Sequence, residues 1–328
     1  MRLLNYVLNG LNAGLRWPMA GRACTLIGWL ALALSFIGTP DARAAMPKPA
    51  GWTLRFGDDF VGAANAPPSH ANWRFDLGHN YAMGPANWGT GEMQSYTAAP
   101  ANIGLDGQGN LRITPLRGAD GQWTSARIET RRDNFRPPKG GVLRIEARIQ
   151  MPNVGDKAAL GYWPAFWALG QSYRHHRLWP QVGEFDIMEN VNGINSVWGI
   201  LHCGVYPGGP CGEPDGLGRR AECLITSCQA AFHVYAFEWD DSVAPMQLRW
   251  YVDGLLFDHV SQSQLPAVTW HEITGKGGYF LLLDVAMGGG FSFAMAGGKP
   301  TPVPETEPGH SMLVDYVAVW TKAAAGTH

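Results

Sequence analysis

The sequence predicts an all-β sandwich, and three features of the chain support that fold class. Short runs of alternating apolar and polar residues recur at close spacing, as the strands of a sandwich do. The 42 Gly and 23 Pro among 328 residues indicate many turns and few long helices. No internal repeat or low-complexity tract interrupts this pattern. One large β-domain therefore accounts for most of the chain.

Residues 1–44 have the pattern of a secretory signal peptide. A basic, polar beginning is followed by an apolar run at 24–38 and by the small-residue cleavage site Ala42-Arg43-Ala44. The run is shorter than the ~20 apolar residues of a membrane span. Met19 is an alternative start, because the polar beginning is long. We expect a secreted or periplasmic protein with a tether at 45–51, a domain at 52–322 and a tail at 323–328.

The charge of the chain argues against polyanionic partners. Residues 1–44 hold four Arg and one Asp, so the remainder keeps 21 basic and 26 acidic residues and a formal charge of −5. A basic surface for nucleic acid or an anionic membrane is not indicated. We expect a monomer with neither of these partners.

Several strands can be placed by their apolar pattern. Trp52 to Phe56 and Leu111 to Ile113 alternate, and residues 143–150 alternate most clearly, which predicts one buried and one solvated face. Asp253-Gly254 between two apolar runs predicts a hairpin turn. The apolar run from Phe280 to Val285 predicts a central strand that is buried on both faces.

The chemistry of the chain centres on residues 183–190, Gly-Glu-Phe-Asp-Ile-Met-Glu-Asn. On a strand, Glu184 and Asp186 share one face. A regular period of two would turn Glu189 into the apolar layer, where an unpaired carboxylate is very costly. A β-bulge near Ile187 or Met188 would return it to the acidic face, so we predict three carboxyls in a row.

Such a row suits a retaining glycosidase. Like charges at short range push at least one pKa upward, and a retaining enzyme needs one ionised and one protonated carboxyl about 5–5.5 Å apart. The alternative is a solvated strand face that carries no chemistry.

The motif resembles the catalytic strand of glycoside hydrolase family 16, in the bulged form found in laminarinases. Other landmarks of that family follow in the expected order over roughly residues 52–320: Asp59-Phe60, Asn72-Trp73, residues 91–96, 109–111 and 163–167, Leu201-His202, and residues 237–239, 251–254, 286–289 and 314–317. An ordered series of motifs is more specific than any one of them.

This resemblance implies a fold and a reaction. The fold is a concanavalin-like β-jelly-roll sandwich of two curved antiparallel sheets with an open concave groove. Glu184 corresponds to the nucleophile, Asp186 to its assistant and Glu189 to the general acid and base. The implied reaction is internal hydrolysis of laminarin-type β-1,3-glucan with retention, and it requires no cofactor.

The resemblance also implies contacts to sugar. Trp163 is expected to stack on a glucosyl ring beside Glu184, and Trp167 is either a second contact or a core residue. The 14 Trp of the chain exceed what the core needs, and an aromatic-lined cleft accounts for the surplus.

Two further segments are candidates for substrate binding. Residues 80–96, with Trp88, Glu92 and Gln94, either line the non-reducing side of the cleft or form a packed surface loop. His202 lies on a strand expected next to Glu189, where it would hydrogen-bond the acid or the sugar, unless it is a buried structural histidine.

Cysteine and histidine patterns favour disulfides over metals. Cys203, Cys211, Cys223 and Cys228 follow the signal peptide, and four cysteines allow three connectivities. We favour two local bridges, since the spacings are not the paired Cys-x-x-Cys of zinc sites. The adjacent His175 and His176 point different ways and lack companion ligands. By resemblance, Asp315 is a candidate ligand of a structural calcium.

Other functions remain open at this stage. Relatives with the same bulged motif act on mixed-linkage glucan, agar or carrageenan, or transfer chains, and a fold does not fix a substrate. Non-catalytic glucan-recognition relatives generally lack the acids, and all three are present here.

Overall fold

The computed structural model describes residues 46–324, so the predicted signal peptide and most of the predicted tail lie outside the described residues. The described part has eighteen strands: β1 Thr53–Asp58, β2 Trp73–Asp76, β3 Ser95–Tyr96, β4 Ile103–Leu105, β5 Leu111–Ile113, β6 Leu116–Arg117, β7 Trp123–Ser125, β8 Arg127–Thr130, β9 Val142–Gln150, β10 Tyr162–Gly170, β11 Glu184–Glu189, β12 Val197–His202, β13 Leu217–Ala221, β14 His233–Asp240, β15 Gln247–Val252, β16 Leu255–Ser261, β17 Tyr279–Met287 and β18 Met312–Lys322.

Helices are short, as the Gly and Pro content predicts. The α-helices are α1 Tyr173–His176, α2 Ala267–Gly275 and α3 Gly289–Met295, and 3₁₀ turns cover Ala86–Gly89, Asp156–Ala159 and Gln262–Gln264. Within residues 46–324, none of the helices has the length and apolarity to cross a bilayer.

Two large antiparallel sheets form the sandwich, which confirms the predicted fold class. One runs β16-β15-β14-β9-β18-β5-β4, with β1 also paired to β18. The other runs β13-β12-β11-β10-β17-β8-β2 and contains the acidic strand β11 near its middle. A small third sheet joins β3, β7 and β6.

The strand predictions agree with the burial except at one position. Leu143, Ile145 and Ile149 on β9 are buried, whereas Arg144 and Arg148 on its other face are partly exposed. Glu146 on that second face is buried, because Arg144 and Tyr316 donate hydrogen bonds to its carboxylate. Every residue of β17 is buried, as expected of a central strand. Asp253 and Gly254 connect β15 to β16 with positive φ at both positions, which is the backbone of a type I′ hairpin turn.

Candidate active site

The strand β11 contains the predicted bulge. Against β10, Phe166 faces Met188 and Trp167 faces Asp186, so Ile187 is the extra residue. Against β12, two steps from Ile200 to Trp198 match three steps from Asp186 to Glu189. The bulge turns Glu189 to the face of the other two acids, and all three carboxyls line one cavity. The predicted row of acids is therefore present.

The opposite face of β11 fixes the acids from behind. Phe185 is buried, and its ring stacks on Phe237 with centroids 4.6 Å apart and on Tyr279 at 4.3 Å. Gly183 enters the strand with a φ of +81°, and a Cβ at this position would collide with the Tyr279 hydroxyl. Only glycine fits both the space and the backbone here.

Burial dominates the electrostatics of the two glutamates. Desolvation, followed by the charge of Asp186, raises the pKa of Glu184 to about 8. Desolvation and Asp186 also raise the pKa of Glu189 well above its usual value, although a hydrogen bond from Trp163 lowers it. Burial and the charge of Asp186 therefore favour the protonated form of both glutamates.

His202 is adjacent to β11, but its register differs from the prediction. It pairs with Glu184, and Trp198 is the residue opposite Glu189. Its Nε2 lies 3.2 Å from Asp186 Oδ2, and its Nδ1 lies 2.7 Å from Glu213 Oε2. The expected contact with Glu189 was wrong because β11 and β12 are antiparallel, which places His202 at the Glu184 end of β11.

Trp163 also lies beside a different acid than expected. It is at the Glu189 end of β10, and its indole N–H donates a 2.7 Å hydrogen bond to Glu189 Oε1. The predicted position beside Glu184 was wrong, since β10 and β11 are antiparallel and Leu169 is the residue opposite Glu184. Trp167 is half-buried in the cavity wall, and its N–H donates to Asp284 Oδ1 at 2.8 Å.

The segment 80–96 contributes unevenly to the cavity. Trp88 and Glu92 line it, and the indole N–H of Trp88 has no partner among the described residues. The carboxylate of Glu92 already accepts hydrogen bonds from Thr90, Gln94 and Tyr96.

Gln94 does not reach the cavity, which corrects its assignment as a substrate-binding residue. It is fully buried, its amide donates to Glu92, and its carbonyl oxygen accepts from the Met287 backbone. With both ends of the amide paired inside the protein, Gln94 supports the loop instead of touching sugar.

The cavity has a volume of about 160 Å³. Its aromatic lining consists of Tyr81, Trp88, Trp163, Trp167, Tyr173 and Trp179, and its charged lining of Glu92, Arg127, Glu184, Asp186, Glu189 and Asp284. Aromatic faces beside carboxyls suit a pyranose ring that is cleaved at its anomeric carbon.

Comparison with known proteins identifies the family. The model of glycosyl hydrolases family 16 matches residues 121–273. A β-glucanase of Rhodothermus marinus is 30% identical over 278 residues, which are 82% of this chain and 85% of the relative. The chain belongs to glycosyl hydrolase family 16.

Two solved structures of glucanases are similar to this chain. The crystal structure of an endo-1,3-β-glucanase from Streptomyces sioyaensis aligns with a TM-score of 0.83 at 52% identity, over 85% of this chain and all of that chain. The laminarinase catalytic domain of Thermotoga maritima aligns with a TM-score of 0.64 at 28% identity, over 82% of this chain and 98% of that chain.

The residues around Asp315 do not fit the calcium that the family resemblance suggests. Asp315 is buried at the bulge of β18, and its Oδ2 lies 2.9 Å from the guanidinium of Arg148. A bound cation would have to share this carboxylate with a fixed positive charge. We therefore assign no calcium to this position.

One cluster of the described residues has the spacing of a metal site. Ligand atoms of Glu184, Asp186 and His202 all lie within 4.8 Å of one another. The contact of the His202 ring with Asp186 explains this spacing without an ion. We treat the cluster as part of the family 16 acid site.

Several residues in or behind this cavity were not predicted from the sequence. Arg127 is buried among three aromatic rings and donates to Asp76 and Tyr81. Asp284 was visible as a lone carboxylate in an apolar run, and that pattern could have marked it. Glu213 carried no sequence signal, because it stands between a Gly and a Pro in a loop.

Proposed function

We propose that this family 16 protein is an endo-acting glycoside hydrolase that cleaves laminarin-type β-1,3-glucan with retention of anomeric configuration. The observation that carries the proposal is the bulge at Ile187, which gathers Glu184, Asp186 and Glu189 on the wall of an aromatic-lined cavity. The names of the relatives in Streptomyces sioyaensis and Thermotoga maritima support β-1,3-glucan as the substrate.

In the proposed mechanism, the ionised carboxylate of Glu184 attacks the anomeric carbon while Glu189 protonates the leaving glycosidic oxygen. The covalent glycosyl-enzyme is then attacked by a water molecule that Glu189 deprotonates, and Glu184 leaves. The raised pKa of Glu189 supports its role as the proton carrier. Asp186 lies between the two and holds the His202 ring near the nucleophile.

The cavity also bears on the choice of substrate. Arg127 is the one basic residue among those that line it in the described structure, and its guanidinium is already bound to Asp76 and Tyr81. A sulfated galactan would need free cations there, so this pairing favours a neutral glucan. The unpartnered N–H of Trp88 and the ring of Trp167 are the contacts we propose for the sugar hydroxyls and ring faces.

We also propose that the enzyme works outside the cytoplasm. The disulfides Cys203–Cys211 and Cys223–Cys228 have the local pairing that the sequence favours, and such bridges persist in oxidising compartments. Cleavage of the predicted signal peptide and the monomeric state stay predictions.

The test is release of reducing ends by the mature protein on laminarin, barley mixed-linkage glucan, agarose and carrageenan. We expect release from laminarin, and the ratio to barley glucan ranks the two linkages. Glu184→Gln should abolish turnover and retain laminarin binding. Release from agarose or carrageenan alone, or undiminished turnover in the variant, would refute the proposal.

Retention is tested separately with Glu189→Ala. Azide should restore part of its activity and give a β-glycosyl azide, because the glycosyl-enzyme forms on the opposite face. An α-azide product would contradict retention.

A further inference from the structure

Glu213 is a buried carboxylate outside the acidic strand that contacts the site from behind. It is 3% exposed and lies on the loop between β12 and β13. One carboxylate oxygen lies 2.7 Å from His202 Nδ1, and the other accepts the backbone N–H of Cys203 at 2.9 Å. Both oxygens of this carboxylate therefore have partners next to β12.

The two ring nitrogens of His202 both face carboxylates. Nδ1 lies 2.7 Å from Glu213, and Nε2 lies 3.2 Å from Asp186. A neutral imidazole has a single N–H, whereas the imidazolium has two. Nε2 lies within ion-pair distance of Asp186 Oδ2, although the described residues give that oxygen no aligned hydrogen bond. Only the charged ring is attracted to both acids at once. Burial lowers the pKa of His202, but Asp186 and Glu213 outweigh it and raise that pKa well above its usual value.

The charge on His202 matters to the proposed chemistry. Asp186 and Glu213 contact the ring. Glu184 and Glu189 are close enough for the ring's positive charge to lower their pKa values. The aromatic ring of Trp179 packs against the imidazole, with ring centroids 5.4 Å apart. The cation lowers the pKa of Glu184, which must be ionised to attack, and this effect is larger than the opposing effect of the Glu213 charge, which raises that pKa. Without Glu213, the His202 ring would keep only one of its two carboxylate contacts, the one with Asp186.

A disulfide joins the two segments of this arrangement. Cys203 directly follows His202 in the chain, Cys211 is two residues before Glu213, and the two cysteines are bonded. The backbones of Gly208 and Glu213 also exchange two hydrogen bonds across the loop. The tip of the loop, with Val205 and Tyr206, is exposed and adds little packing. The bridge is thus the covalent link between the ring and its carboxylate.

We propose that Glu213 is a positioning residue that keeps His202 protonated and directed at Asp186, and that the Cys203–Cys211 disulfide holds Glu213 in this place. The proposal rests on the function proposed above, because it assigns a role in that reaction. The two disulfides would then have different roles. Cys203–Cys211 holds Glu213 next to His202, whereas Cys223–Cys228 constrains a separate loop.

The first test needs no substrate. The ring of His202 is titrated by NMR in the wild-type protein with ¹⁵N-labelled histidine, and the signal is assigned with His202→Gln. We expect the ring to titrate well above the ordinary imidazole pKa of about 6.5, because Asp186 and Glu213 both stabilise its charged form. Titration at or below the ordinary value of about 6.5 would overturn the proposal. This result is independent of whether laminarin is the substrate.

The second test is Glu213→Gln, which keeps the shape and the acceptor for Cys203 but removes the charge. We expect the His202 pKa to fall by at least about one unit and kcat on laminarin to fall about tenfold, with KM changed less than about twofold. The acid limb of the kcat/KM profile should move to higher pH, because Glu184 loses its cation. An unmoved titration and acid limb would overturn the proposal even if stability fell.

The disulfides supply matched variants. Cys203→Ser with Cys211→Ser should lower kcat and the His202 pKa in the same direction as Glu213→Gln. Cys223→Ser with Cys228→Ser should leave both unchanged. Equal effects from the two pairs would refute a specific role for the first bridge. If wild-type protein released no sugar from laminarin, the proposed function would fail, while the titrations would still judge the Glu213 arrangement.

Discussion

The indole N–H of Trp163 donates a hydrogen bond to Glu189 Oε1 at 2.7 Å, so the residue expected to stack on sugar also tunes the acid. This bond favours the ionised carboxylate and lowers the pKa of Glu189. Trp163 is placed by close packing, since a Cβ on Gly289 would come within 2.9 Å of its ring.

We predict that Trp163→Phe keeps an aromatic ring at this position but removes the hydrogen bond that lowers the pKa of Glu189. The pKa of Glu189 should rise, so the basic limb of the kcat profile should move upward by about one pH unit. We expect kcat to fall roughly tenfold, as for loss of a hydrogen bond to a charged group. Trp198→Phe, opposite Glu189 on β12, removes an indole without removing this bond and is the control. A basic limb that stays in place in both variants would contradict the prediction.

Asp284 should make the stability of the fold depend on pH. Tyr96 has one hydroxyl proton, yet its oxygen lies 2.9 Å from Glu92 and 3.1 Å from Asp284. Burial raises the pKa of Asp284 to about 7, against the effect of Arg127 and with that of Glu92. Since the folded pKa exceeds the unfolded one, the associated stability is present below about pH 4 and is lost as pH rises to about 7.

Asp284→Asn should remove the loss of folding stability at neutral pH, because the amide does not ionise. It should also keep an oxygen that accepts the Trp167 N–H. We expect its Tm to exceed the wild-type Tm by a few °C at pH 8, with the difference shrinking toward pH 4. Glu305→Gln, at an exposed site, is the control and should leave the pH dependence of Tm unchanged. Parallel Tm curves for Asp284→Asn and wild type would show that Asp284 does not titrate as described.

The apolar face of β11 should be as important for stability as its acidic face is for chemistry. Phe185→Ala removes a buried ring that stacks on Phe237 and Tyr279, and we expect a loss of about 3–5 kcal/mol in the free energy of unfolding. Chemical denaturation measures this loss, with the exposed Val205→Ala as the control. A loss below about 1 kcal/mol would mean that the core relaxes around the cavity.

Calcium should not stabilise this enzyme through Asp315. Because Arg148 already compensates the buried carboxylate, we expect the same Tm with a chelator and with millimolar calcium. Arg148→Met should cost roughly 3–5 kcal/mol, since it leaves a buried charge unpaired. A rise of Tm with calcium in the wild-type protein would restore the calcium hypothesis.

The sequence predicted what depends on local pattern and chain order. Alternation along residues 143–150, the Asp253-Gly254 turn and the bulge near Ile187 all follow from side-chain periodicity, and the structure confirms each of them. The Cys203–Cys211 and Cys223–Cys228 pairing follows from short spacing.

The sequence could not predict the register between strands or the hydrogen-bond partner of each polar side chain. Placing Trp163 beside Glu184 and His202 beside Glu189 was wrong because the antiparallel pairing of β11 with both neighbouring strands decides which residues face each other. Gln94 was assigned to sugar binding because residues near it in the sequence do line the cavity. Its amide, however, already makes hydrogen bonds to Glu92 and to the Met287 backbone inside the protein. Glu213 reaches His202 through a loop whose path no periodicity describes.

The surplus residue in β11 also bears on insertions and deletions. Removing Ile187 would leave Glu-Phe-Asp-Met-Glu, in which strict alternation places all three acids on one face without a bulge. The ladders to β10 and β12 would then run without interruption. Removing Phe185 instead would put Glu184 beside Asp186 and turn it into the core. Strand β11 can therefore change length by one residue between Asp186 and Glu189 and keep its acids together, whereas a change of one residue between Glu184 and Asp186 separates them.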